Sequence, residues 1–131
     1  MSALLWLVAF VACLQSGTAL EYGPGTMQRV YNVRVEQGLV RAGWQGSMAA
    51  AIECSEIGRI DYASFYNPRA GEWSYYRPVL ITDCSQYRDR AMHYARNILL
   101  EVDWNTAVQN GFSAFGHTRV RVIRSQNRWR P

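Results

Sequence analysis

Apolar and polar positions in this chain fall into short blocks separated by turn residues, and no periodic stretch is long enough for an extended helix. The first block, residues 3–14, is uninterruptedly apolar and runs into the small, polar Gln15-Ser16-Gly17-Thr18-Ala19, with no charge before Glu21. A turn-rich segment, Glu21-Tyr22-Gly23-Pro24-Gly25, follows. Residues 27–35 carry Val30, Tyr31, Val33 and Val35 in a strand-like alternation, which predicts a leading strand. Residues 47–52 form an apolar, alanine-rich run too short for propensity to choose between helix and strand. Residues 60–66 and 79–82 read as strands on either side of the turn at Asn67-Pro68-Arg69-Ala70-Gly71, the second ending at Asp83. Residues 87–96 are too charged for a core strand and predict a loop or a short surface helix. Residues 98–102 are strand-like again, 104–111 predict a short helix opened by Asp103 or Asn105 and stopped by a glycine, and 118–123 alternate Arg with Val. Short strands with one or two helical turns between them predict a mainly β fold, a small closed barrel.

The leading block changes the picture of where the protein resides. Its 12 residues fall short of the roughly 20 that cross a bilayer, but they suit the core of a signal peptide, and Gly17-x-Ala19 offers the small residues that a signal peptidase accepts. A positive n-region is missing, so a retained membrane anchor stands beside cleavage, and Phe10-Val11-Ala12-Cys13 loosely matches a lipobox. The expected organisation is therefore a signal peptide or anchor over 1–21 and a linker with a leading strand over 22–45. A barrel over 46–124 and a basic tail over 125–131 complete it. Any membrane association would run through residues 3–20, and the folded part is expected in the cell envelope or outside the cell.

At 131 residues, 49% hydrophobic and 18% charged, the chain has the composition of one globular domain, small enough to benefit from a covalent staple. Outside the leader only Cys54 and Cys84 remain, and an even pair in an exported chain reads as a disulfide. Closing that loop is worth about 3–4 kcal/mol on the chain-entropy model. Two separate buried thiols are the alternative, because spacing does not fix geometry. His93 and His117 show no ligand spacing with these cysteines, so neither a metal nor a cofactor is expected. All 14 basic residues are arginine, and no acid follows Asp103, whereas Arg119, Arg121, Arg124, Arg128 and Arg130 do. A cationic end of this kind suits an anionic envelope polymer, lipid headgroups or an acidic partner, or is a solvated strand face and tail. Nucleic acid is not expected for an exported chain.

Two segments carry a recognisable pattern, Val79-Leu80-Ile81-Thr82-Asp83-Cys84-Ser85 and Ile98-Leu99-Leu100-Glu101-Val102-Asp103-Trp104-Asn105-Thr106-Ala107. With Thr118-Arg119-Val120-Arg121-Val122, they resemble the double-psi β-barrel domains of rare lipoprotein A, the expansins and barwin. In those families an apolar strand ends in an Asp at a loop, and a later strand ends in Asp-Leu-Ser ahead of a short helix. Asp83 matches the first Asp and Asp103-Trp104-Asn105 the second motif; Met48-Ala49-Ala50-Ala51 resembles the Ala-Ala-His strand, and Cys54-Ser55-Glu56-Ile57-Gly58 the turn after it. The resemblance spans roughly residues 46 to 124 and implies a six-stranded double-psi barrel. Ala51 stands where the lytic members place a histidine, so the proton-handling partner of Asp83 is missing from that position.

Glycoside cleavage needs one carboxyl group to protonate the leaving oxygen and a second group to activate water or stabilise developing positive charge. The resemblance singles out Asp83 and Asp103 as that pair, although an Asp at a strand end is also a common helix cap. Trp73, Tyr75 and Tyr76 follow the turn and are candidate sugar-stacking rings, with Arg119, Arg121 and Arg124 as cationic contacts. With Ala51 in place of histidine, the first expectation is a non-catalytic exported module that binds cell-envelope glycan or docks on an envelope protein. A glycan-cleaving enzyme using Asp83 and Asp103, and a membrane-anchored accessory subunit, are the alternatives.

Overall fold

A computed structural model gives the fold of residues 14–131; the apolar run through residue 13, and with it the choice between signal peptide, anchor and lipidated Cys13, lies outside the described residues. The chain is mainly β. Its strands are β1 (Leu14–Glu21), β2 (Ser47–Ala51), β3 (Ile60–Asn67), β4 (Glu72–Trp73), β5 (Arg77–Cys84), β6 (Ile98–Val102) and β7 (His117–Ile123). Three helices, α1 (Thr26–Glu36), α2 (Arg90–Ala95) and α3 (Trp104–Gln109), accompany them.

Hydrogen bonding runs β3-β5-β2-β6-β1-β7, and β7 pairs back onto β3, so six strands close into a barrel with the short β4 added outside β3. Closure leaves no free edge among the six, which removes the hazard of exposed strand pairing. The sheet is mixed. β1 runs parallel to β6 and β2 parallel to β5, while the remaining barrel pairs are antiparallel.

Alternation places the interior. In β7, Thr118, Val120 and Val122 are buried while His117, Arg119 and Arg121 are exposed, the pattern that their spacing predicts. Ala49, Ala51 and Ala63 are buried in the barrel core with Val79, Ile81, Leu100, Val102, Val120 and Val122. The rings of Phe65 and Phe112, both fully buried, stack with centroids 5.8 Å apart.

The region before the barrel is organised differently from its expectation. Residues 14–21, assigned above to a leader, form β1, paired with β6 on one side and β7 on the other. Cleavage after Ala19 would remove most of that strand. Gly17 explains how the strand fits, since a Cβ there would lie 2.4 Å from the Asn97 carbonyl oxygen. Residues 26–36 form a helix, not the leading strand expected over 27–35. Met27 and Tyr31, four residues apart, are its buried face, whereas Val33 of the apparent alternation is exposed. This helix covers a second core with Val40, Met48, Ile57 and Leu80. The undecided run at residues 47–52 contains strand β2.

The C-terminal segment is not a free basic tail. Trp129 meets Trp44 edge to face at 5.3 Å and carries the Arg41 guanidinium 3.7 Å above its ring. The Arg130 side chain donates to the Ile57 carbonyl at 2.6 Å, and Arg128 bridges to Arg59 through the backbone. Cys54 and Cys84 form the expected disulfide, with Cα atoms 4.8 Å apart across a sequence separation of 30. It ties the turn after β2 to the end of β5.

Candidate functional site

Asp83 sits at the end of β5, where the strand leaves the barrel. Two donors hold its carboxylate: Arg34 Nη2 of α1 at 2.9 Å on Oδ1 and the Tyr22 hydroxyl at 2.8 Å on Oδ2. Arg34 also donates from Nε to the Thr82 carbonyl at 3.1 Å, which fixes the guanidinium against the strand. Both donors come from residues 22–45. That segment, expected as a linker and strand, instead builds one wall of the site.

Asp83 faces a cavity of about 400 Å³ whose other walls include Tyr22, Ser85, Asp89, His93 and Glu101. Glu101 projects from β6, the one acid in an otherwise apolar strand. Burial raises its pKa, and repulsion from Asp83 and Asp89 adds to the rise while His93 opposes it. Burial and then the Asp83 charge also push the Tyr22 hydroxyl up, so it stays a proton donor to Asp83. His93, buried on α2, has Nδ1 2.6 Å from the Ser85 hydroxyl and Nε2 3.5 Å from Glu101 Oε1. The cavity thus brings together the carboxyl groups of Asp83 and Glu101, from the ends of β5 and β6, the Tyr22 hydroxyl after β1 and the His93 imidazole of α2.

Asp103 does not join them. It is the N-cap of α3: its carboxylate accepts from Thr106 N at 3.1 Å, from Thr106 Oγ1 at 2.6 Å and from Met48 N at 3.0 Å. It borders a different depression, with Ser47 and Thr106. Asp83 and Asp103, the acid–base pair that the sequence pattern suggested, thus border different depressions, and the Asp103 carboxylate is held by backbone and threonine donors. Glu101 takes the place beside Asp83. Its signal in the sequence was an acid inside Ile98-Leu99-Leu100-Glu101-Val102, where an apolar residue would pack as well. Ala51, for its part, is packed in the barrel interior, and His93 reaches the cavity from another element.

The candidate contact residues divide into two places. Arg119 and Arg121, exposed on β7, lie over rings on the adjoining strands: Arg121 Cζ is 3.8 Å from the Trp73 centroid, and Arg119 Cζ is 4.3 Å from that of Tyr66 and 5.5 Å from that of Trp73. Tyr75 is 95% exposed and Tyr76 is also at the surface. Arg124 lies elsewhere. It pairs with Glu56 at 3.2 Å and Asp61 at 3.4 Å and donates to Gln15, a structural role that removes it from the contact surface.

No protein-family model matches the chain, and no curated protein matches it.

Proposed function

We propose that this protein is an exported barrel that cleaves glycan of the cell envelope in the Asp83 cavity, with Glu101 as proton donor and Asp83 as the charged partner. The observation that carries this reading is the shared cavity, in which two carboxyl groups have opposite surroundings. Asp83 receives an arginine and a tyrosine hydroxyl, the company of a carboxylate; Glu101 is half-buried with a raised pKa, the condition of a carboxylic acid. In the reaction Glu101 gives its proton to the glycosidic oxygen as the carbon–oxygen bond breaks, Asp83 stabilises the positive charge that develops at the sugar carbon, and a water molecule adds to that carbon and releases the proton that restores Glu101. His93, next to Glu101, is placed to return a proton afterwards. The parallel pairs β1–β6 and β2–β5, with Asp83 at a strand end, support the double-psi reading of the barrel and its likeness to rare lipoprotein A, the expansins and barwin.

A non-catalytic envelope-binding module is the second reading. The observation in its favour is that both oxygens of Asp83 are already engaged by Arg34 and Tyr22. Digestion of purified peptidoglycan separates the two: soluble fragments from the wild type that disappear with Asp83→Asn and with Glu101→Gln support cleavage. No release by the wild type, with the sacculi still retaining the protein, leaves the binding module.

A further inference from the structure

The outer face of β3, β4 and β7 carries an arginine–aromatic ladder away from the Asp83 cavity. Tyr66 of β3 and Trp73 of β4 are cross-strand neighbours with ring centroids 5.7 Å apart, and Arg119 and Arg121 lie across them. This arrangement changes what the rings offer. The guanidinium of Arg121 covers one face of Trp73, and that of Arg119 covers Tyr66, so a sugar cannot stack on those covered faces. A guanidinium held over a ring in this way has N–H donors that the ring does not use, and these match a planar carboxylate with two parallel hydrogen bonds. Among the described residues, neither Arg119 nor Arg121 has an ion pair or a side-chain hydrogen bond of its own, whereas Arg34, Arg59, Arg90 and Arg124 all have acid partners.

We infer that this ladder is a binding site for a sugar chain that bears carboxylate groups, independent of the Asp83 cavity. Two features identify the partner. Arg119 and Arg121 are two residues apart on one strand face, which spaces the two positions by roughly 7 Å along the strand, the scale of successive groups along a polymer. Beside Trp73 lies a depression bordered by the fully exposed Tyr75, the amides of Asn67, Gln109 and Asn110, the Arg77 guanidinium, which donates to Gln109 Oε1 at 3.1 Å, and the carboxylate of Glu72. Amides and a bare ring suit hydroxyls and a sugar face, and Glu72 repels a densely charged polyanion. A chain with spaced carboxylates and neutral hydroxyls fits both halves of the surface; a polyphosphate fits only the arginines.

The test is retention of the full chain on immobilised polygalacturonate, with polyphosphate and neutral dextran as comparison polymers, at low salt. The wild type is expected to bind polygalacturonate above both others. Arg119→Gln with Arg121→Gln should weaken that binding roughly tenfold to a hundredfold, and Tyr75→Ala should weaken it without altering its salt dependence. Far-UV circular dichroism and melting temperature establish that the double variant is folded. Asp83→Asn should leave the binding in place, which separates this site from the cavity. Equal retention by the wild type and the folded double variant, or preference for polyphosphate over polygalacturonate, would overturn the inference.

Discussion

Arg59 Nε lies 2.8 Å from Oδ1 of Asp61, a carboxylate with no solvent exposure at all. The second oxygen receives Arg59 Nη2 at 3.0 Å, Arg124 Nη1 is 3.4 Å from the same oxygen, and the Ser125 N–H points at Oδ1. One enclosed carboxylate on β3 therefore gathers the residue just before that strand and the chain just after β7. The Arg59 guanidinium gains from the carboxylates more than it loses to burial, since its pKa rises despite desolvation.

Removing the buried partner of such a network leaves two arginines without their common acceptor. Asp61→Ala is expected to destabilise the fold by about 3–5 kcal/mol, and Arg124→Gln by less, because Arg59 still satisfies Asp61. Urea unfolding monitored by fluorescence gives both values. A loss below 1 kcal/mol for Asp61→Ala would mean that water replaces the arginines there.

Asp103 offers a contrast with Asp83 that equilibrium and kinetic measurements resolve together. Asp103→Ala removes the cap of α3 and leaves the Met48 N–H without its side-chain acceptor. The expected cost is about 2 kcal/mol in stability. Glycan release at a temperature where the variant is folded should persist, whereas Asp83→Asn, measured where it too is folded, should abolish release. A folded Asp103→Ala protein with no release would return Asp103 to the reacting groups.

The parts of the architecture legible from the residues were those in which local pattern and tertiary environment agree. The Arg and Val alternation of residues 118–123 reports a strand with one face inside, and Asp103 ahead of Trp104–Gln109 reports a helix start. The even pair Cys54 and Cys84 is the disulfide. Reading failed where one pattern serves two structures. The small, uncharged residues after the apolar run look like a cleavage region, yet smallness at Gly17 is what lets β1 approach Asn97 and Leu99. Valines at 30, 33 and 35 and Tyr31 satisfy an alternation by eye, but Met27 and Tyr31 are the buried pair at helical spacing. The site itself was only half visible: Asp83 stands at a strand end, but Arg34, Tyr22, His93 and Glu101 reach it from four other segments, and no local spacing in the chain encodes that convergence.

Gly17 supplies a test of where the folded domain begins. An alanine there would place its Cβ 2.4 Å from Asn97 O and 2.8 Å from Leu99 Cγ, and the neighbouring Thr18 N–H donates to that same carbonyl. Gly17→Ala is expected to cost about 1–3 kcal/mol, and a chain begun at Leu20 is expected to lose cooperative unfolding. Thermal denaturation of the two proteins decides this. A Leu20-initiated chain that melts as sharply as one begun at Leu14 would show that β1 is dispensable and restore cleavage after Ala19.

Glu101 makes the fold sensitive to pH in a direction that follows from its surroundings. Its pKa is raised in the folded protein, chiefly by burial and then by the charges of Asp83 and Asp89. Below the ordinary glutamate range, about pH 4.3, the group is protonated in the folded and unfolded chains alike and opposes nothing. As the pH climbs from there through the raised folded value, the unfolded chain has already released the proton and the folded chain still holds it, so the folded state binds more protons and stability falls. Above the folded value the full cost of an ionised, half-buried carboxylate is present. Glu101→Gln keeps the size of the side chain and cannot ionise. The difference in unfolding free energy between Glu101→Gln and the wild type should therefore grow in favour of the variant as the pH rises through this window, then level off. Comparing the two proteins at each pH cancels the titration of the other acids. A difference independent of pH would show that Glu101 titrates as it does in the unfolded chain, and the proposed role of Glu101 as proton donor would fall.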